Sequence, residues 1–325
     1  KEYKQMRAKM MIFSGSTEAS SLSLRVQQIL TDLAVAFGHS FIMVEDKISE
    51  ISIQEYGSAM TEEAIEAAMQ CDGTLCVAPD EEGMPELTDG LDCILRCRVY
   101  MMPECLNAHS PLKTGKLPHG VLACPIKLEE QALKNAADHV YSMAKDSGLL
   151  ISEIPYTGKY LHMWEEAVRP AAARYYLNQR MMTDAPGFIS DLIRTPEGMG
   201  VLLATASACA SVQAAASALC GIESFVYDSY WDEQGPRLFA ARLQKNAAGD
   251  SINPFGLLYA AADMLKFRFG LSREADFLLT CCNNVLNAGW RTSDIAEDGS
   301  MRVSTEAIFS LISEQIDLVA ALAAH

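Results

Sequence analysis

The sequence predicts an α/β protein built around a largely parallel sheet. Three observations carry that expectation. Short apolar runs of strand length alternate with longer segments of helical period along almost the whole chain. Several helical segments begin at recognisable caps. Half of the 325 residues are apolar against 21% charged, the balance of a packed globular protein rather than a disordered one. A chain of this length exceeds one small core and fits two or three domain units, or one large α/β fold.

The elements follow in order. MMIFS (10–14) is a short apolar strand, and the loop Gly15-Ser16-Thr17-Glu18 leads into a helix that ends near Phe37. Leu22, Val26, Ile29, Leu30, Leu33 and Ala34 repeat there with helical spacing. HSFIMVE (39–45) is the second strand. Thr61 caps a helix with Glu62 and Glu63 in its first turn, and GTLCVAP (73–79) is the third strand. RVYMM (98–102) and GVLACPI (120–126) read as strands, Glu129–Lys145 as a helix and LLISEIP (149–155) as a strand. Tyr160–Arg180 is a long amphipathic helix, and Ile189–Ile193 a short one before the strand GVLLATA (200–206). Asn253-Pro254 reads as an N-cap with a first-turn proline, opening a helix that stops at Gly270. Ser272 caps the next helix, and Ser304 with Ile308, Leu311, Ile312 and Ile316 opens the last. There is no internal repeat and no low-complexity linker.

Acidic residues number 42 against 26 basic, a net charge of −16. That balance argues against nucleic acid or an anionic membrane as the main partner. The stretch 198–222 has no charged residue, but it is built of Ala, Ser, Thr and Gly with little Leu or Ile. It reads as a buried strand running into a tightly packed helix, not as a membrane span. The run MMIF is too short for a signal-peptide core. Ten cysteines lie mostly in apolar runs, with no C-x-x-C pair and no zinc-finger spacing. They read as reduced thiols of a cytoplasmic protein, with Cys281-Cys282 as helix filler.

Several residues invite a chemical reading. The turn Ser14-Gly15-Ser16-Thr17 stands where a phosphate would meet a helix N-terminus, but it lacks G-x-G-x-x-G and reads as a plain turn. His162 has Glu166 one turn on without a visible third ligand, so a surface pair is expected. Asp184 either binds a metal or caps the helix that begins near Ala185-Pro186, and local evidence favours the cap. Arg96 and Arg98 point to one face if the segment is extended. They then grip a substrate carboxylate or form an edge salt bridge. The small-residue run 206–218 is suited to a close helix–helix contact, within the chain or across a dimer.

The order of segments from Lys9 to Ile316 resembles the metal-dependent β-decarboxylating dehydrogenases, the 3-isopropylmalate, isocitrate and homoisocitrate dehydrogenases. MMIFSGSTEASSLSLRVQQIL stands where that family has its opening strand, glycine loop and helix. MTEEAIEAAMQCDGTLCVAP matches a helix leading to a buried strand, and SPLKTGK (110–116) the arm after the arginine strand. INPFGLLYAAADMLKFRFGL matches the family's A-N-P helix, and AGWRTSDI (288–295) its G-Y-R-T-x-D-I segment; these two are the most specific. The resemblance implies two α/β domains with a large mixed parallel sheet. The larger domain would come from residues 1–100 and 236–325, and a smaller central one, with the dimer-forming helices, from 101–235. It also implies active sites between domains that borrow residues from a second subunit.

Family chemistry needs a divalent metal held by three aspartates, a lysine and an aspartate for the hydroxyl proton, a tyrosine for the enol and arginines for the carboxylates. Carried over residue by residue, little of that set remains. The paired metal aspartates fall on Ala210 and Ala214, and Asp184 alone is retained. Ile154 or Pro155 aligns with the catalytic lysine, and Lys159 reaches it only through a gap. The R-E-L-T-G-G stretch and its tyrosine are replaced by the shorter Leu122–Glu129 segment. The cofactor loop becomes RLQKNAAGD (242–250), and the opening G-D-G-I-G becomes GSTEA. Arg96 and Asn253 are left as relics of carboxylate and adenine contact. The resemblance therefore implies the family fold without the family reaction: no bound cofactor, and a binding, regulatory or non-catalytic partner role. That role would be filled by a homodimer or a hetero-oligomer with an active homologue. The rival expectation is an NAD-dependent hydroxy-acid dehydrogenase using Mg or Mn in a rebuilt site.

Overall fold

The computed structural model describes residues 5–79, 82–175, 179–181, 184–242 and 252–323. The expected cofactor segment 242–250 lies outside these apart from Arg242. The chain divides into two compact units, Lys1–Leu91 with Pro236–His325, and Asp92–Gly235.

The first unit opens with β1 (Arg7–Ser14), α1 (Thr17–Phe37), β2 (Ser40–Lys47), α2 (Ser49–Tyr56), α3 (Glu62–Met69), β3 (Gly73–Val77) and α4 (Met84–Gly90). Met10, Met11, Ile12 and Phe13 are wholly buried, as expected of a strand covered on both faces. Ser16 caps α1 by accepting the Ala19 N–H at 3.2 Å. The six apolar positions expected on its inner face are all buried. Gly15 has a packing reason: a Cβ there would collide with the Ala78 carbonyl. The first βα turn is therefore tight because two backbones meet.

The second unit holds β4 (Leu95–Met101), β5 (His119–Pro125), α5 (Glu130–Ser147), β6 (Ile151–Ile154), α6 (Leu161–Tyr175), β7 (Gln179–Met181), α7 (Ala185–Arg194), β8 (Gly200–Ala204), α8 (Ala206–Cys220) and β9 (Tyr227–Asp232). The chain then returns to the first unit with β10 (Gly235–Ala241), α9 (Phe255–Asp263), α10 (Ser272–Asn287), β11 (Trp290–Arg291), β12 (Met301–Arg302) and α11 (Thr305–Ala323). A π-helical turn, Met264–Arg268, extends α9.

In the first unit the strands run in the order β2-β1-β3-β10, parallel throughout. In the second the order is β9-β4-β5-β8-β6-β7. There β5-β8-β6-β7 are parallel, and β4 is antiparallel to both β5 and β9. The boundary expected after residue 100 lies instead at 91/92. β4 pairs on both sides with strands of the second unit and belongs to it. β4 also begins at Leu95, three residues earlier than expected, and this places Arg96 and Arg98 in the sheet. β9, β10, α2 and α4 were not expected. The long helix expected to Arg180 ends at Tyr175. Ser272 is the first residue of α10 and makes no cap hydrogen bond. Among the described residues no helix is long and apolar enough to cross a membrane.

The small-residue helix is half as buried as expected. Ala208, Cys209, Val212, Ala216, Leu219 and Cys220 face inward. Ala206, Ser207, Ala210, Ser211, Ala214 and Ala218 are exposed on the other side of the helix.

Candidate functional site

The second unit contains a buried polar cluster centred on Asp228 of β9. β4 lies between β9 and β5, so Arg96 stands beside Tyr230 and Cys124, and Arg98 beside Asp228 and Leu122. Alternation along β4 puts both arginines on one face. Arg98 is bidentate on Asp228, with Nε donating to Oδ1 at 2.8 Å and Nη2 to Oδ2 at 2.7 Å. Arg96 donates from Nε to the same Oδ1 at 3.3 Å and from Nη2 to Gln213 Oε1 on α8 at 2.7 Å. The Asp228 side chain is 2% exposed, that of Arg98 8% and that of Arg96 29%. Burial alone would lower both guanidinium pKa values; the Asp228 carboxylate outweighs it and holds both above the usual range. Two cations share one anion, which leaves the cluster with one net positive charge. The arginine pair forms a salt bridge, buried in mid-sheet rather than at an edge. The carboxylate they grip is the protein's own. Neither Asp228 nor Gln213 carried a signal in the sequence.

Beside Arg96 lies a pair of thiols. Cys124 on β5 is half-buried and Cys209 on α8 is buried. The neighbouring Cys209 thiol lowers the Cys124 thiol pKa against the opposing effect of burial, and Arg96 lowers it further. The Cys124 thiol and burial push Cys209 up. Tyr156, just beyond β6, feels the charge of both sulfurs, and burial raises its phenol.

The other expected residues lie elsewhere. Asp184 is the N-cap of α7, its Oδ1 accepting the Gly187 N–H at 2.9 Å. Ala210 and Ala214 are exposed methyls on the outer face of α8. Lys159, in a 3₁₀ turn (Gly158–Tyr160), is exposed with its ammonium over the Tyr160 ring. His162 and Glu166 form an exposed pair on α6, 3.3 Å apart. Asn253, in the first unit, is 2% exposed. Its Oδ1 accepts the Phe255 N–H at 3.0 Å and its Nδ2 donates to Asp294 Oδ2 at 3.0 Å. Thr292 donates to the other Asp294 oxygen at 2.6 Å, so the segments 252–271 and 288–295 are tied together. Among the described residues no three His, Cys, Asp or Glu side chains converge as metal ligands.

A cleft of about 250 Å³ opens between α5 and α6 and is lined by none of the expected residues. Its polar groups serve one another: Arg174 pairs with Asp138, Asn135 donates to Glu233 at 3.1 Å, and a His139 ring nitrogen lies 3.0 Å from the Asp232 carbonyl.

Comparison with known proteins places this geometry. The model of the isocitrate/isopropylmalate dehydrogenase family matches residues 243–312, which include both tied segments. The 3-isopropylmalate dehydrogenase of Halalkalibacterium halodurans is 23% identical over 89% of this chain and 92% of its own length. That of Helicobacter hepaticus is 21% identical over 96% and 100%. Among solved structures, the β-decarboxylating dehydrogenase of Thermococcus kodakarensis superposes with a TM-score of 0.75 at 17% identity, over 97% of this chain and 98% of that one. The isocitrate dehydrogenase of Methylococcus capsulatus gives 0.74 at 13%, over 95% and 99%. The chain resembles the isocitrate/isopropylmalate dehydrogenase family at low identity. The family fold is retained along nearly the whole chain.

Proposed function

We propose that this chain keeps the family fold without the decarboxylating dehydrogenase reaction. It serves as a binding or regulatory protein, as a homodimer or as the non-catalytic partner of an active homologue. The donor set at the positions that the resemblance assigns to metal carries this reading. Ala210 and Ala214 stand one helical turn apart on the exposed face of α8 and offer methyls. Asp184 is left, and its Oδ1 already holds the Gly187 N–H. One carboxylate with water is a poor magnesium site, because tight binding needs more anionic oxygens. Asn253 adds support: its amide is used within the first unit.

Calorimetric titration of the assembled protein tests the reading, since it also registers any site shared between subunits. Magnesium and manganese are expected to bind no better than millimolar. NAD and NADP are expected to bind more weakly than about 100 μM, about −5.5 kcal/mol. Tighter binding of metal and nucleotide together would restore the enzyme reading, a metal-assisted hydroxy-acid dehydrogenase with a rebuilt site. Assembly is tested separately by sedimentation: a dimer is expected, and a monomer at micromolar concentration contradicts it.

A further inference from the structure

We infer that His39 is a proton-operated latch in the first unit, which ties the residue ahead of β1 to α10 and releases it on acidification. The ring stands in the turn between α1 and β2, with its side chain 4% exposed. Both of its nitrogens are engaged. Nδ1 accepts the Met6 N–H at 3.2 Å, and Nε2 lies 3.0 Å from Glu274 Oε1 on α10. A backbone N–H can only donate, so Nδ1 carries no proton in this arrangement. The single N–H of the neutral imidazole is therefore on Nε2 and is donated to Glu274. Stacking on Phe41, with ring centroids 5.9 Å apart, fixes the plane of the imidazole.

Glu274 is placed to stay ionised. It lies in the first turn of α10, a helix that starts without a side-chain cap, and the positive end of the helix dipole favours a carboxylate there. Its side chain is 8% exposed. Among the charged groups on the surrounding elements, the Arg273 guanidinium of α10 lies over the Phe37 ring, Arg268 donates to the Asp72 carbonyl, and Arg7 of β1 is exposed. A second proton can enter the ring only at Nδ1. It turns that nitrogen from acceptor to donor and sets two N–H groups against each other, so the ring gives up one partner. The bond to Glu274 now joins two ions and is roughly twice as strong as a neutral one. Met6 is therefore the partner released. The Met6 carbonyl keeps its bond from the Ser40 N–H at 2.9 Å, so release frees the amide without unpairing β1 from β2.

Hydrogen exchange at the Met6 amide tests the latch, read by NMR on the full chain labelled with ¹⁵N-methionine and assigned with Met6→Leu. Protection, corrected for the intrinsic exchange rate at each pH, is expected to fall about tenfold between pH 8 and pH 5, the range in which an imidazole takes up its proton. His39→Asn keeps an acceptor near the Nδ1 position and cannot gain a proton. Its Met6 protection is expected to be equal at the two pH values. Glu274→Gln keeps an acceptor for Nε2–H but removes the charge that favours the doubly protonated ring, so release is expected to need a lower pH. With ¹⁵N-histidine at pH 8, the signal that His39→Asn removes is expected to be that of an Nε2–H tautomer. Unchanged protection between pH 8 and pH 5, an equal fall in His39→Asn, or an Nδ1–H tautomer at pH 8 would each overturn the proposal. So would release in Glu274→Gln at the same pH as in the parent chain, and that arm decides alone if His39→Asn fails to fold.

Discussion

Asp228 is the residue that makes buried Arg98 and half-buried Arg96 tolerable side by side. It accepts three hydrogen bonds from Arg96 and Arg98 while 2% exposed. Replacing it by Ala leaves the buried Arg98 charge without its carboxylate, which costs about 3–5 kcal/mol. Asp228→Ala is expected to lower the urea midpoint accordingly; a loss under about 1 kcal/mol would show that the cluster does not hold the second unit together. Asp184 makes the contrasting case. As a helix cap it is worth about 0.5–2 kcal/mol. Asp184→Ala is expected to cost that much stability and to leave metal titrations unchanged, whereas a lost metal site in that variant would contradict the capping role. The arginine pair was legible because two arginines two residues apart must share a face of any strand. Their partner was not: Asp228 stands 132 and 130 residues away, and no local pattern announces it.

α8 presents methyls at the positions that the resemblance assigns to metal carboxylates. Its inner face is bound to the sheet, and its outer face carries Ala210 and Ala214. Exposed helix positions accept Asp for about 0.7 kcal/mol each in propensity. The double variant Ala210→Asp, Ala214→Asp is therefore expected to fold with a melting temperature only a few degrees lower. A variant that fails to fold would mean this face is packed in the assembly more tightly than two carboxylates permit. The legible elements share strong local chemistry: α1 has Ser16, a clean apolar stripe and Gly38 at its end, and α3 has Thr61. The missed elements lack it. α2 starts after Ile48 with no side-chain cap, and α4 is seven residues long after a left-handed Gly83. β9 reads YDSYWD, and its acids disguise a strand whose Asp228 pairs with distant arginines.

At the scale of the whole molecule, buried neutral acids set an alkaline limit. Burial raises Tyr100 from 10.0 to about 12, Cys220 from 9.0 to about 12 and Cys281 from 9.0 to about 11. A group raised in the fold contributes stability that is full below its unfolded value and is lost as pH rises through its folded value. The window is therefore pH 9 to 12, and each pH unit between the two values is worth about 1.4 kcal/mol per group. Urea midpoints are expected to be flat from pH 7 to 8.5 and to fall steadily above 9; a flat profile to pH 11 would contradict the burial of these groups.

The central claim is that a family fold survives here without its reaction, and a turnover assay tests it most directly. Purified protein is supplied with manganese, either nicotinamide cofactor, and isopropylmalate, isocitrate, homoisocitrate, tartrate or malate in turn, and cofactor reduction is followed. No metal-dependent reduction is expected with any of them. Turnover above about 1 s⁻¹, an ordinary enzyme rate, that is abolished by Asp184→Asn would contradict it and identify Asp184 as a working ligand in a rebuilt site.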